Sequence, residues 1–248
     1  MRIGILTSGG DCPGINATIR GVCKTAINHY GMEVIGIHSG FQGLLTKDIE
    51  SFTDKSLSGL LNQGGTMLGT SREKPFKKGG VVSDVDKPAL ILQNIQEMGL
   101  DCVVCIGGNG TQKTAAKFAA MGVNIVSVPK TIDNDIWGTD ISFGFDSAVS
   151  IATDAIDRLH STASSHKRVM VIEVMGHKAG WIALYSGHGG WRRRHSCPRN
   201  PLQHQEYRKY NPRKAEKRQT LFHRSGGRRH PDGWPETCRG IHRTGNRI

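Results

Sequence analysis

Short apolar runs alternate with amphipathic stretches over the first two thirds of the chain. Such apolar runs, with few charges, are typical of parallel strands that are buried on both faces. The strand-like runs are Met1–Thr7, Glu33–His38, Asp101–Ile106 and Asn124–Val128, and the helix-like stretches are Asn16–His29, Lys87–Met98 and Lys113–Met121. This alternation predicts an α/β fold, a three-layer, doubly wound and mostly parallel sheet.

Three glycine-rich loops lie between these predicted elements, at Ser8–Gly14, Gln63–Arg72 and Gly107–Thr111. Backbone N–H groups of such a loop, and of the helix that follows it, can cradle phosphate. Each loop alone is equally compatible with a tight turn. Because the loops of a parallel sheet gather at one edge, their convergence there predicts a ligand site.

The segment Pro129–Asp135 places two carboxylates two residues apart, directly after a strand-like run. One acid, such as Asp133, can accept a proton from an attacking hydroxyl while Asp135 holds a metal or orients its partner. The alternative is a simple turn, because Asp-Asn-Asp is also common turn chemistry. We therefore expect either a catalytic loop or a turn at this point.

The next part of the chain predicts a long helix after Asp146, to about Ser161, and a strand at Val169–Val174. Arg168 and His177 flank that strand and could contact an anionic substrate. Taken singly, each is as compatible with a solvated charge.

The net charge of +12 comes entirely from the end of the chain. Residues 187–248 hold 16 basic and 4 acidic side chains, whereas the first 186 residues hold 17 of each. A basic tail interleaved with aromatic residues is typical of nucleic-acid binding, which is the alternative function from another class.

Cysteine usage and the first residues indicate a reducing cytoplasm. Cys102 and Cys105 form a C-x-x-C inside an apolar run, which favours buried thiols over a redox pair. The chain opens directly into a strand, without a signal segment, and no apolar stretch has the length of a membrane span.

Six motifs in order resemble the 6-phosphofructokinase family over residues 1–187. They are Thr7–Ala17, Gly64–Gly69 with Arg72, Ile106–Thr111, Pro129–Asp135, Ala163–Arg168 and Glu173–Gly176. The resemblance implies a nucleotide-binding lobe at residues 1–137 and the beginning of a sugar-phosphate lobe at 138–187. It also implies transfer of the terminal phosphoryl of ATP to the 1-hydroxyl of fructose 6-phosphate, with Mg²⁺, in a homotetramer.

The resemblance also implies a role for each matched residue. Asp133 would be the base, flanked by Thr131 and Asp135, and these three would also contact the sugar. The nucleotide contacts would be Gly10, Arg72, Gly108, Asn109, Gly110 and Thr111, and the further sugar-phosphate contacts would be Arg168, reaching a neighbouring subunit, with Met175, Gly176 and His177.

Four positions either depart from the family pattern or bear on which phosphoryl donor is used. Asn109 stands where ATP-dependent bacterial members have Asp, so its amide oxygen brings no charge to Mg²⁺. Gly110 matches ATP-using members, whereas Lys130 matches pyrophosphate-using ones. We expect ATP as donor, with pyrophosphate as the alternative. His177 replaces an Arg, which removes bidentate phosphate contact there.

The resemblance stops at Gly187, after which Arg, Gly, His and Pro dominate. One explanation is a real basic tail, and the other is translation in a shifted reading frame. Reading the degenerate codons of Gly189–Tyr207 one base later permits a strand and a helix start that resemble the family's continuation. Leu221–Arg229 likewise permits another buried strand, so residues 188–248 are interpreted as a frameshifted, disordered tail.

We predict that the 248-residue polypeptide is poorly folded and does not phosphorylate fructose 6-phosphate, because the later strands and the rest of the sugar site are missing and sheet edges stay unpaired. A coupled enzyme assay on the expressed chain measures the rate, and a rate typical of the family contradicts the prediction. Sequencing the coding DNA around the Gly187 codon tests the reading frame.

Overall fold

The computed structural model describes residues 1–77, 86–167, 170, 172–177 and 179–189. The chain divides into two compact units, Met1–Ser147 and Ala148–Ile248. The lobe boundary predicted at residue 137 stays a prediction. Residues 190–248 of the predicted tail lie outside the described residues. The disorder expected for the tail therefore stays a prediction.

Strands and helices alternate along the described residues. The strands are β1 (Arg2–Ser8), β2 (Glu33–Ile37), β3 (Ile49–Phe52), β4 (Cys102–Gly107) and β5 (Ile125–Pro129). The helices are α1 (Ile15–Tyr30), α2 (Phe41–Thr46), α3 (Lys87–Glu97), α4 (Asn109–Ala120), α5 (Phe145–Ser165) and α6 (Trp181–Gly189).

The strands form one sheet in the order β3-β2-β1-β4-β5. Strand β1 pairs in parallel with β2 and β4, and β4 pairs in parallel with β5, whereas β3 runs antiparallel to β2. The mostly parallel, doubly wound α/β fold expected from the sequence is therefore confirmed. Its two short elements, α2 and β3, had not been predicted.

Two hydrophobic cores lie on the two faces of this sheet. Ile5 and Val104 point to the face covered by α1, where Ile19 is fully buried. Leu6 points to the opposite face, where Phe118 of α4 packs with α2 and α3. Successive strand residues point to opposite faces, so the sheet is covered on both sides and forms the middle of three layers. The expectation that the whole chain is poorly folded stays a prediction.

Strand β5 differs from its prediction as a buried strand. Its burial is intermediate to exposed, and Val126 is 52% exposed. Within the described residues β5 pairs with β4 alone, so it is an edge strand of the sheet. An apolar run such as Asn124–Val128 predicts a strand, but the neighbours that the strand acquires in the fold determine its burial.

Helix α4 begins at Asn109, four residues before the predicted start at Lys113. The predicted loop Gly107–Thr111 is therefore mostly the first helical turn. Glycine in a sequence usually argues against a helix. Gly110, however, lies in the first turn of α4, where backbone N–H groups have no partner within the helix.

The strand predicted at Val169–Val174 is not observed as a strand in its described residues. Val169 and Val171 lie outside the described part, and Met170 and Ile172–Val174 belong to no strand. The predicted long helix of the same region is present as α5, which continues to Ser165.

Cys102 and Cys105 are both buried free thiols, as expected. Their separation of three residues along a strand sends them to opposite faces of the sheet, Cys102 into one core and Cys105 into the other. They therefore do not form a redox pair. No helix among the described residues is long and apolar enough to cross a membrane.

Candidate functional site

The carboxyl ends of β1, β4 and β5 meet at one edge of the sheet. The backbone N–H of Lys130 donates to Gly107 at 3.0 Å, so the acidic loop starts beside the loop after β4. The hydroxyl of Thr111 donates to the carbonyl of Ser8 at 3.4 Å, which joins α4 to the first glycine loop. The predicted convergence of these loops at one edge is therefore observed.

The second glycine loop is fastened to the same edge by two buried side chains. The Thr7 hydroxyl donates to the carbonyl of Gly69 at 2.7 Å. The Asn16 amide donates to the carbonyl of Gln63 at 3.0 Å and accepts from the N–H of Met67 at 2.8 Å. Because Asn16 is only 3% exposed, these bonds fix the loop that leads to Arg72. Sequence analysis did not identify either role.

A cleft of about 750 Å³ opens where these loops meet. Three of the predicted nucleotide contacts, Arg72, Gly110 and Thr111, line it. Gly10, Gly108 and Asn109 do not line it, although Gly10 follows the lining residue Gly9 and Asn109 precedes the lining residue Gly110. Ser8, Gly9 and Ser71 also line it and belong to the predicted glycine loops. The lining residues that sequence analysis missed are Phe41, Glu73, Lys74, Phe76, Lys77, Lys113, Thr114 and Lys117.

Two aromatic side chains, Phe41 and Phe76, are among the residues that line the cleft. The ring of Phe76 lies 4.9 Å from that of Phe118, which in turn lies 6.1 Å from the ring of Phe41. The ammonium of Lys117 lies 4.8 Å from the centre of the Phe76 ring. The arrangement offers an apolar surface with a cationic rim, which suits a flat ring that carries a polyphosphate.

Helix α4 points its amino terminus toward the cleft, since Gly110 and Thr111 of its first turn are among the lining residues. The N-cap residue is Gly108, which has no side chain to accept from the first N–H groups. Backbone N–H groups at a helix N-terminus favour anions. The geometry can therefore hold the phosphate end of a ligand.

The acidic loop is held in shape by hydrogen bonds across it. The buried Ser142 hydroxyl donates to the carbonyl of Thr131 at 2.9 Å, and the Ser142 N–H donates to Asn134 Oδ1 at 2.9 Å. Asn134 itself adopts a positive φ of 49° between the two acids. Asp133 and Asp135 are thereby presented half-buried from a defined loop.

The side chain of Lys130 links the acidic loop to the first glycine loop. It is 5% exposed, and its ammonium donates to the carbonyl of Gly10. Burial lowers the pKa of this ammonium, and the nearby carboxylates of Asp11 and Asp133 oppose the shift. A buried ammonium needs such partners, so the contact with Gly10 fixes the distance between the two loops.

Cys12 in the first glycine loop packs against Gly144, the residue directly before α5. Burial raises the pKa of its thiol to about 11, so the thiol stays neutral at neutral pH and is a poor nucleophile. A Cβ at Gly144 would lie 2.5 Å from Cys12 Sγ. The first glycine loop and the segment before α5 approach this closely because residue 144 has no side chain.

The remaining predicted sugar-phosphate contacts belong to the second unit. Met175 is exposed, Gly176 is buried with a φ of 142°, and His177 is exposed with a φ of 47°. Arg168 lies outside the described residues.

Comparison with known proteins agrees with this geometry. The model of the family described as phosphofructokinase matches residues 2–237. An ATP-dependent 6-phosphofructokinase 3 of Bacteroides thetaiotaomicron is 99% identical over 190 residues, which are 77% of this chain and 56% of that protein. An ATP-dependent 6-phosphofructokinase of Spirochaeta thermophila is 59% identical over 191 residues, covering 75% of this chain and 52% of the relative. The chain thus spans about half the length of these curated relatives.

Two solved structures have the same fold. Phosphofructokinase of Pichia pastoris in the T-state superposes with a TM-score of 0.82 at 29% identity, covering 97% of this chain and 29% of that one. A pyrophosphate-dependent phosphofructokinase of Nitrosospira multiformis superposes with a TM-score of 0.77 at 23% identity, covering 94% of this chain and 62% of that one.

We predict that Gly144→Ala lowers the free energy of unfolding by about 3 kcal/mol, because it adds both a Cβ at positive φ and a clash with Cys12. Gly138→Ala is the matched control, since Gly138 also has a positive φ but open space around it, and we expect it to cost about 1 kcal/mol. Urea unfolding followed by circular dichroism measures both. Equal losses for the two variants would exclude the clash.

Proposed function

The chain belongs to the phosphofructokinase family, and on that premise we propose that it carries the nucleotide-binding part of an ATP-dependent 6-phosphofructokinase. The complete enzyme would transfer the terminal phosphoryl of ATP to the 1-hydroxyl of fructose 6-phosphate, giving fructose 1,6-bisphosphate in glycolysis. The observation that carries the proposal is the cleft at the carboxyl edge of the sheet, which joins an aromatic end to a helix N-terminus and Arg72.

In this proposal ATP binds in one orientation. The adenine would lie on Phe76 beside the Lys117 ammonium, and the phosphates would lie toward Gly9, Gly10 and the first turn of α4. Backbone N–H groups of the first glycine loop and of the first turn of α4, with the guanidinium of Arg72, supply positive potential for the phosphates. They take no part in bond making or proton transfer. Gly108, Asn109 and Thr111 belong to the same phosphate-binding turn in this proposal.

Two residues support ATP over pyrophosphate as the phosphoryl donor. A Cβ at Gly110 would meet nothing within 4 Å, so this side of the cleft has room for a nucleotide. The ammonium of Lys130 is buried and donates to the carbonyl of Gly10, so in this arrangement the protein itself satisfies part of its hydrogen-bonding capacity. Pyrophosphate remains the alternative donor for the test below.

In the proposed reaction, Asp133 accepts the proton of the sugar 1-hydroxyl as that oxygen attacks the terminal phosphorus of ATP. The bond from that phosphorus to the bridging oxygen breaks, and ADP leaves. The backbone N–H of Asp133 donates to the side-chain oxygen of Thr131 at 3.1 Å, which helps to hold the base in position. Asp135 supports the same loop. Such transfer depends mainly on positioning and charge neutralisation, which these groups provide.

The oxygen donors at this edge suit Mg²⁺, which prefers carboxylate and carbonyl oxygen. Asp135 offers a half-buried carboxylate, and the first residue of α4, Asn109, offers an uncharged amide oxygen. These residues would hold the ion. When bound, Mg²⁺ would neutralise part of the phosphate charge.

The sugar-phosphate contacts proposed for the whole enzyme are Arg168, Met175, Gly176 and His177, together with Thr131, Asp133 and Asp135. Arg168 would reach the sugar phosphate of a neighbouring subunit, which would make the complete enzyme a homotetramer. We place this enzyme in the cytoplasm.

We predict that Gly110→Asp weakens ATP binding by about 100-fold, because it sets a carboxylate against the phosphates in the cleft. Gly110→Ala is the matched control, and we expect it to bind ATP like the wild type since its Cβ meets open space. Isothermal titration calorimetry on the full chain, with ATP and with pyrophosphate, measures both variants. Wild-type binding of pyrophosphate but not of ATP would favour the alternative donor and contradict the proposal.

A further inference from the structure

We propose that a buried ion pair between Glu73 and Lys87 fixes one wall of the cleft and so gives the cleft its preference for a nucleotide over a bare polyphosphate. This inference rests on the proposed function, since it concerns how the same cleft selects its ligand. The cleft wall is defined as residues 71–77, of which all but Pro75 line the cleft.

The ion pair is the most buried of those in the described part of the chain. The Lys87 ammonium lies 2.6 Å from a carboxylate oxygen of Glu73, and the two side chains are 3% and 6% exposed. In each of four other ion pairs among the described residues, such as Lys47 with Glu97, at least one side chain is 40% exposed or more. Removing one partner of a buried pair leaves the other charge buried, so both residues hold each other in place.

The cleft wall needs such an anchor because no ladder of the sheet holds it. Its backbone forms turns and irregular structure, with a bond from the Lys77 N–H to the Lys74 carbonyl at 2.9 Å. Yet it carries both Arg72 and Phe76, the ring proposed to contact the base. A shift of the wall would move the base contact more than the phosphate contacts on α4 and the first glycine loop.

Lys87 is a firm anchor because helix α3 is packed on the sheet. Ile91 is fully buried, and the buried Asn94 amide donates to the carbonyls of Leu44 and Leu45 at 2.8 and 3.0 Å. Lys87 stands in the first turn of this helix, next to the N-cap Asp86. The ion pair therefore transmits the fixed position of α3 to the wall.

Lys87 has a second effect that distinguishes it from Glu73. Glu73 lines a cleft proposed to receive a triphosphate, and its carboxylate would repel that ligand more strongly without the Lys87 ammonium beside it. Lys87 neutralises it. Loss of Lys87 should therefore weaken binding of any polyphosphate, whereas loss of the charge on Glu73 should weaken mainly the contact with the base.

The test uses the full chain with the variants Glu73→Gln and Lys87→Gln. The matched control is Glu97→Gln, which lies on α3 like Lys87 and breaks an exposed pair with Lys47. Hydrogen exchange without ligand measures the wall, and calorimetry with ATP and with inorganic tripolyphosphate, at equal Mg²⁺, measures selectivity. We expect Glu73→Gln to speed exchange at residues 71–77 about tenfold while β1 and β4 stay unchanged. We expect its ATP affinity to fall about tenfold with little change for tripolyphosphate.

Lys87→Gln should weaken both ligands, and Glu97→Gln should change neither exchange nor affinity. Unchanged exchange of the wall in Glu73→Gln, or an equal loss of both ligands in that variant, overturns the inference. A wild-type chain that binds neither ligand contradicts the proposed function instead. In that case hydrogen exchange alone decides the inference. Faster exchange of residues 71–77 in Glu73→Gln supports it, and unchanged exchange overturns it.

Discussion

The buried ammonium of Lys130 is the constraint on which the arrangement of the site depends. A charge that is 5% exposed must find partners inside the protein, and the carbonyl of Gly10 is one that the fold supplies. That bond ties the acidic loop after β5 to the glycine loop after β1. The strand between them, β4, is thereby enclosed at its carboxyl end, where Gly108 and α4 begin.

The other loops are adjusted to this distance by small residues and hydroxyl groups. Gly144 lets the segment before α5 approach Cys12, and the Ser142 hydroxyl donates to the carbonyl of Thr131. Thr7 and Asn16 draw the second glycine loop to the same edge. The site is consequently a set of loops that fix one another through short side chains, while the sheet provides only their starting points.

The sequence was informative where local pattern decides the outcome. Apolar runs and glycine loops located β1, β2, β4 and their loop ends, because both signals act between neighbouring residues. The acidic loop was recognised for the same reason. The exposure of β5 could not be predicted, since burial of an apolar strand such as Ile125–Pro129 depends on which strand pairs with its outer edge.

The parts of the site that the sequence did not reveal are contacts between distant residues. Asn16 bonds to Gln63, 47 positions away, and Phe76 becomes part of the cleft through Phe118. Neither residue type carries a local signal for such a role. Glu73 and Lys87 look like ordinary surface charges until the fold buries them together.

The most direct measurement of the central claim is a crystal structure of the full chain with a non-hydrolysable ATP analogue and Mg²⁺. The account predicts phosphates against Gly9, Gly10 and the first turn of α4, with the base on Phe76. A nucleotide bound away from the carboxyl edge of the sheet, or with its phosphates distant from Gly110, would contradict it.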